Sequence, residues 1–282
     1  MTISIFKNTD GELRNGWWVA IFFLMLSVFV FVLIFSADRF HFEISIWHQL
    51  SVILIVSAVC QGLRRRPLLE ITGRIDRQWL RDIIAGMTIG TGLMLLPALV
   101  LTLFGLIEWR LNHLTLIIFS DAIFTMLGVA LAEEFLFRGF IFQRLGQGIG
   151  KWPAQILISG LFLLTHLANP GMDGASKILG STNIFIASLL FGIAFIKTNR
   201  LAMPIAMHFM ANVVQGPIMG FGVSGNQQPG ILTPVLEDDH TWITGGEFGL
   251  EAGAAGLLTL LLVTLWCSQD KTTYRQQFRK IP

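Results

Sequence analysis

Two glutamates stand side by side in an apolar run, Leu127-Gly128-Val129-Ala130-Leu131-Ala132-Glu133-Glu134-Phe135-Leu136-Phe137-Arg138. A carboxylate deep in lipid costs roughly 2.5–3.5 kcal/mol on insertion scales, so a pair of them points to function. On a helix Glu134 and Arg138 are four residues apart and therefore neighbours. An ion pair between them keeps Glu134 ionised and oriented, and it also suits a simple clamp between helices. Glu133 is rotated by about 100° from Glu134, lacks that partner and is free to act as a base. Two later apolar runs carry Phe162-x-x-x-His166 and His208-x-x-x-Asn212. The spacing puts each pair on one helix face. Taken singly, either pair suits hydrogen-bonded packing between helices just as well.

Together these groups suit hydrolysis. A buried glutamate can take a proton from water and deliver it to a leaving amine. His166 can orient that water, while His208 and Asn212 can donate to a tetrahedral oxyanion. Helix rise places the groups at overlapping depths: Glu133 about 18 Å, His166 about 20 Å and His208 about 10 Å or more from the near helix ends. Glu133, His166 and His208 also have the chemistry of a catalytic zinc set with one open position. Neither His-Glu-x-x-His nor its inverse occurs, and Gly-x-Ser-x-Gly is absent as well. The paired aspartates of an intramembrane aspartyl protease are missing too, since Asp121 stands alone within the apolar runs.

The elements that must position these residues are membrane helices. Of 282 residues, 53% are hydrophobic and only 13% charged, about half the charged fraction of soluble domains. Mean hydropathy is +0.66. The fold class expected is an all-α membrane protein of about eight transmembrane helices, at roughly 17–35, 44–63, 83–107, 114–137, 153–168, 182–197, 201–222 and 250–267. Gly86, Gly90 and Gly92 offer a face for close helix approach, and Pro97 and Pro204 mark kinks or helix starts. All but three of the 20 Lys and Arg residues fall in alternate connections, the exceptions being Arg39, Arg110 and Lys177. The positive-inside rule then puts both termini in the cytoplasm. The net charge of +2 does not suggest nucleic acid. Cys60 and Cys267 lack metal-ligand spacing and read as apolar fillers.

Two connections stand out. Segment 64–82 interleaves arginines with Leu68, Leu69, Ile71, Ile75, Trp79 and Leu80, which fits either an amphipathic helix on anionic lipid or a solvated basic loop. Segment 223–249 is acidic through Glu237, Asp238, Asp239 and Glu247 and reads as an outward solvated loop. The chain divides into N-terminal helices at 1–113, a core at 114–215, and an outward loop, last span and basic tail at 216–282.

In order and on separate runs, the three motifs resemble those of the CPBP family, the type II CAAX prenyl endopeptidases and their bacterial Abi-like relatives. The residues are Glu133-Glu134-Phe135-Leu136-Phe137-Arg138-Gly139, Phe162-Leu163-Leu164-Thr165-His166 and His208-Phe209-Met210-Ala211-Asn212. Phe191-Gly192, Thr198-Asn199-Arg200-Leu201 and Pro204 also resemble the family's approach to its third motif. The resemblance covers roughly residues 114–215. It implies an eight-helix intramembrane protease with Glu133 as the base, His166 assisting the water, and His208 and Asn212 at the oxyanion. Glu134, Arg138 and Phe162 would be supporting residues. It also implies a membrane-associated peptide or protein substrate, and either no cofactor or a single zinc ion. A bacterial plasma membrane is the expected location, with the site opening toward the cytoplasm. Two other classes compete: a non-catalytic adaptor or immunity-type protein, and a proton-coupled transporter using the carboxylates as a relay.

Overall fold

The computed structural model describes residues 5–9, 11–172, 174–236 and 240–269. The acidic positions Glu237, Asp238 and Asp239 and the basic tail residues Lys271, Arg275, Arg279 and Lys280 lie outside the described residues.

Apolar runs become helices because backbone groups in lipid must be satisfied within the segment. The long helices are α1 (Asn15–Phe40), α2 (Ile46–Leu63) and α4 (Arg77–Leu103), with the short α3 (Leu69–Thr72) between the last two. Next come α5 (Leu116–Glu134), a π-helical segment (Phe135–Phe140) and α6 (Ile141–Ile149). Then follow α7 (Lys151–His166), α8 (Gly174–Thr198) and α9 (Ala202–Val213), the last running into a second π segment (Val214–Ile218). The short α10 (Thr241–Thr244) and α11 (Ala254–Gln269) complete the order. Local chemistry sets several starts. Asp76 accepts from the backbone N–H groups of Gln78 and Trp79 at the head of α4, and Thr115 accepts from Ile118 at the head of α5. Both satisfy donors that a helix leaves open.

Five helical stretches are long and apolar enough to cross a bilayer: 15–40, 46–63, 77–103, 116–149 and 176–198. Each of the eight apolar runs holds a helix, but α7, α9 and α11 have 16, 12 and 16 residues. These are shorter than the ~20 residues a spanning helix needs. The chain is therefore a mainly helical, multi-span membrane protein, with five helices of spanning length among the described residues rather than eight. Lipid exposure agrees. Only Phe22 of α1 is buried, while Leu24, Phe31 and Phe35 point outward.

A glycine contact fixes α9 at the centre. A Cβ on Gly86 would lie 2.4 Å from the Met203 carbonyl oxygen, and one on Gly90 only 2.2 Å from that of Met207. The backbones of α4 and α9 therefore touch, as small residues allow. Gly92 takes no part in this, because its added Cβ would meet only Leu96 of its own helix at 4.0 Å. On the other flank, Gly192 of α8 sits beneath Gln155 of α7. Gln155 Nε2 donates to the Ser188 carbonyl at 2.8 Å and to Ser159 Oγ at 3.0 Å.

Three departures from the sequence reading have clear physical causes. Segment 64–82 does not form one amphipathic helix. Its polar side chains tie helix ends together: Glu70 pairs with Arg64 and Arg144, and Arg200 with Asp76 and Asp82. Nor is the fold purely helical, since strands β1 (Ile107–Leu111) and β2 (Leu232–Leu236) pair antiparallel with Trp109 opposite Pro234. Segment 223–249 is likewise not simply a solvated loop. A Cβ at Gly222 would lie 2.4 Å from the Glu247 carbonyl, and one at Gly225 2.0 Å from that of Pro170. These contacts press the segment onto the helix ends.

Candidate active site

Glu134 and Arg138 are fully buried and paired at 2.9 Å, the i,i+4 contact expected from their spacing. Arg138 is also held from α8. It donates to the Ser188 carbonyl at 2.9 Å and to Ser188 Oγ at 2.5 Å. Its guanidinium lies 5.1 Å from the Phe162 ring centre and 5.4 Å from that of Phe191. A buried charge is tolerable only when its donors and its counter-charge are met together. The π segment that carries Arg138 breaks helical geometry at Gly139, where ψ is −120°. Insertions of this kind recur at functional positions.

The same carboxylate oxygen of Glu134 serves a second helix. His208 Nδ1 of α9 lies 3.0 Å from Glu134 Oε1. A carboxylate only accepts, so Nδ1 carries the proton and donates. Phe191 stacks on the imidazole at 4.9 Å with planes 13° apart. The spacing of Glu134 and Arg138 revealed their pairing, but nothing in the sequence tied Glu134 to a residue 74 positions away.

Glu133 faces the other edge of the same imidazole. Its Oε2 lies 3.9 Å from His208 Nε2, beyond direct hydrogen-bond reach. That oxygen is buried and makes no hydrogen bond among the described residues. Opposite, on α7, His166 Nδ1 lies 2.7 Å from the Phe162 carbonyl. A carbonyl also only accepts, so His166 donates from Nδ1, and Nε2 of the neutral ring is left as an acceptor.

Glu133, His166, His208 and Asn212 all line one cavity of about 320 Å³, and Phe162 lines it as well. Glu134 and Arg138 stand behind its wall. The lining includes polar residues that no motif marked, among them Asn183 of α8, Gln215 of the second π segment, and Ser224 and Glu251. Glu251 accepts from Gln215 Nε2 at 3.0 Å and from Ser224 Oγ at 3.2 Å. Only the polar composition of 215–251 hinted at this, because contacts across such a segment follow from its folding and not from periodicity.

A metal reading of the site finds no geometric support. Among the described residues no three His, Cys, Asp or Glu side chains group as a metal ion would need. Glu133, His166 and His208 share the cavity without forming a ligand set.

Residues 114–214 match the family model described as Type II CAAX prenyl endopeptidase Rce1-like. This segment runs from the lead-in to α5 into the second π segment. It contains every residue of the three motifs, and the match supports a general intramembrane protease function. No curated protein matches the chain, and no solved structure does.

Proposed function

We propose that the chain is an intramembrane endopeptidase that hydrolyses peptide bonds of membrane-associated substrates with water activated by Glu133. The observation that carries this reading is the convergence of Glu133, His166, His208 and Asn212, from three helices, on one cavity. Glu133 Oε2 is the base, and a water beside it can also donate to His166 Nε2. As the water oxygen bonds to the scissile carbonyl carbon, its proton passes to Glu133. The C–N bond then breaks and Glu133 returns the proton to the leaving amine.

Charge on the carbonyl oxygen is stabilised by donors from α9. Asn212 offers its amide N–H. His208 can donate to the oxyanion only from Nε2, since Nδ1 already donates to Glu134. Its oxyanion role therefore requires the doubly protonated ring, a condition the sequence did not reveal. Glu134 and Arg138 position His208 and touch no reacting atom. Zinc enters no step.

The basic residues favour eight crossings with both termini in the cytoplasm, with α7, α9 and α11 crossing as short helices beside longer ones. The cavity's exposed rim residue Asn226 lies on segment 223–249, at the end opposite the basic connections. In that orientation the mouth faces away from the cytoplasm, which reverses the opening expected from depth alone.

Comparing peptides in membranes that carry the wild-type chain or Glu133→Ala tests the proposal. Substrate fragments should be present with wild type and missing with the variant. Identical peptide profiles, together with a phenotype that Glu133→Gln retains, would instead favour a non-catalytic adaptor.

A further inference from the structure

A second cavity, of about 860 Å³, opens at the other end of the molecule, among the basic connections. Its lining includes Arg14, Arg64, Arg66 and Arg144, against two acidic residues, Glu12 and Glu70. One carboxylate serves two of these guanidiniums. Glu70 alone is shared by Arg64 at 3.4 Å and Arg144 at 2.9 Å, and Glu12 reaches Arg66 only at 3.8 Å. Arg144 is almost fully buried, and its Nε makes no hydrogen bond among the described residues. The first turn of the 26-residue α1 also faces the cavity, through Asn15 and Gly16. No side chain caps that turn, so its N–H groups and positive dipole end add to the field.

The setting selects the kind of anion. The cavity lies where α1 enters its apolar run and where α2 leaves its own at Leu63. It is thus level with lipid headgroups. Trp18 and Leu63 line it, Trp17 and Trp152 lie exposed nearby in sequence, and interfacial tryptophans sit at that level. A soluble anion would have no use for apolar flanks. We propose that this cavity binds the phosphate ester of an anionic phospholipid headgroup, with the acyl chains running along the exposed faces of α1 and α2. The site is separate from the cavity holding Glu133.

Thermal unfolding of the full chain in detergent, with phosphatidylglycerol, phosphatidylcholine or soluble glycerol phosphate added, tests this. Phosphatidylglycerol should raise the transition temperature, and phosphatidylcholine and glycerol phosphate should not. Arg14→Gln with Arg66→Gln should weaken the apparent lipid affinity by about fivefold per arginine. Arg77→Gln with Arg81→Gln, exposed on the same side but outside the cavity, should leave it unchanged. Equal stabilisation by phosphatidylcholine would overturn the proposal, as would equal loss in both double variants. An equal response to glycerol phosphate would overturn the assignment to lipid.

Discussion

One oxygen of Glu134 accepts from two helices' worth of partners. His208 Nδ1 lies 3.0 Å away and Arg138 2.9 Å away, all within the protein interior. The carboxylate thereby joins the π segment after α5 to α9 and sets which nitrogen of His208 faces the cavity.

Removing that carboxylate leaves a buried guanidinium without its counter-charge. Glu134→Ala is expected to destabilise the protein by about 3–5 kcal/mol, read as a lower transition temperature in detergent. Glu133 makes no ion pair with Arg138 and lies 3.9 Å from His208 Nε2, beyond hydrogen-bond reach. Glu133→Gln should therefore unfold at or above the wild-type temperature. Equal losses in the two variants would contradict the division of roles.

Close contact between α4 and α9 makes a different demand. Gly90→Leu must push the two backbones apart and should cost about 1–3 kcal/mol or more. Gly92→Leu, turned away from α9, should leave the transition temperature nearly unchanged.

Acid should loosen the basic end of the molecule. Burial pushes the Glu70 carboxyl up, but the hydrogen bond from Gln61 and the charges of Arg144 and Arg64 outweigh it and hold the group below its ordinary value. A depressed carboxyl contributes stability that is complete above its unfolded pKa of about 4.3 and is lost as pH falls through the folded value. Wild type should thus unfold at a higher temperature than Glu70→Gln at pH 6. The two melting curves should converge as pH drops below about 4.

Treatment with a chelator bears on the metal question. Because Glu133, His166 and His208 do not group as a ligand set, peptidase activity should survive removal of divalent metal, with elemental analysis confirming the removal. Loss on chelation and recovery with zinc would show that the donors regroup around an ion.

The sequence made the site more legible than its surroundings. Glu134 and Arg138 could be paired because helical spacing is local, and Glu133, His166, His208 and Asn212 could be grouped because each stood out against an apolar background. The shared cavity needed only that their helices pack. The link from Glu134 to His208 depends on how α5 and α9 cross, and Gly86 and Gly90 marked α4's close face without naming α9 as its partner. The β1–β2 pair was hidden because Pro234 and the surrounding glycines read as loop. Helix lengths misled for a related reason. Hydropathy ran past the end of α9, where the second π segment carries Gln215 into the cavity wall.

Cleavage of a reporter peptide by purified protein in proteoliposomes, wild type against Glu133→Gln, tests the central claim most directly. With Glu133 as the general base, the variant should fold like wild type and cut at least about a hundredfold more slowly. A variant that cuts at the wild-type rate would contradict the account.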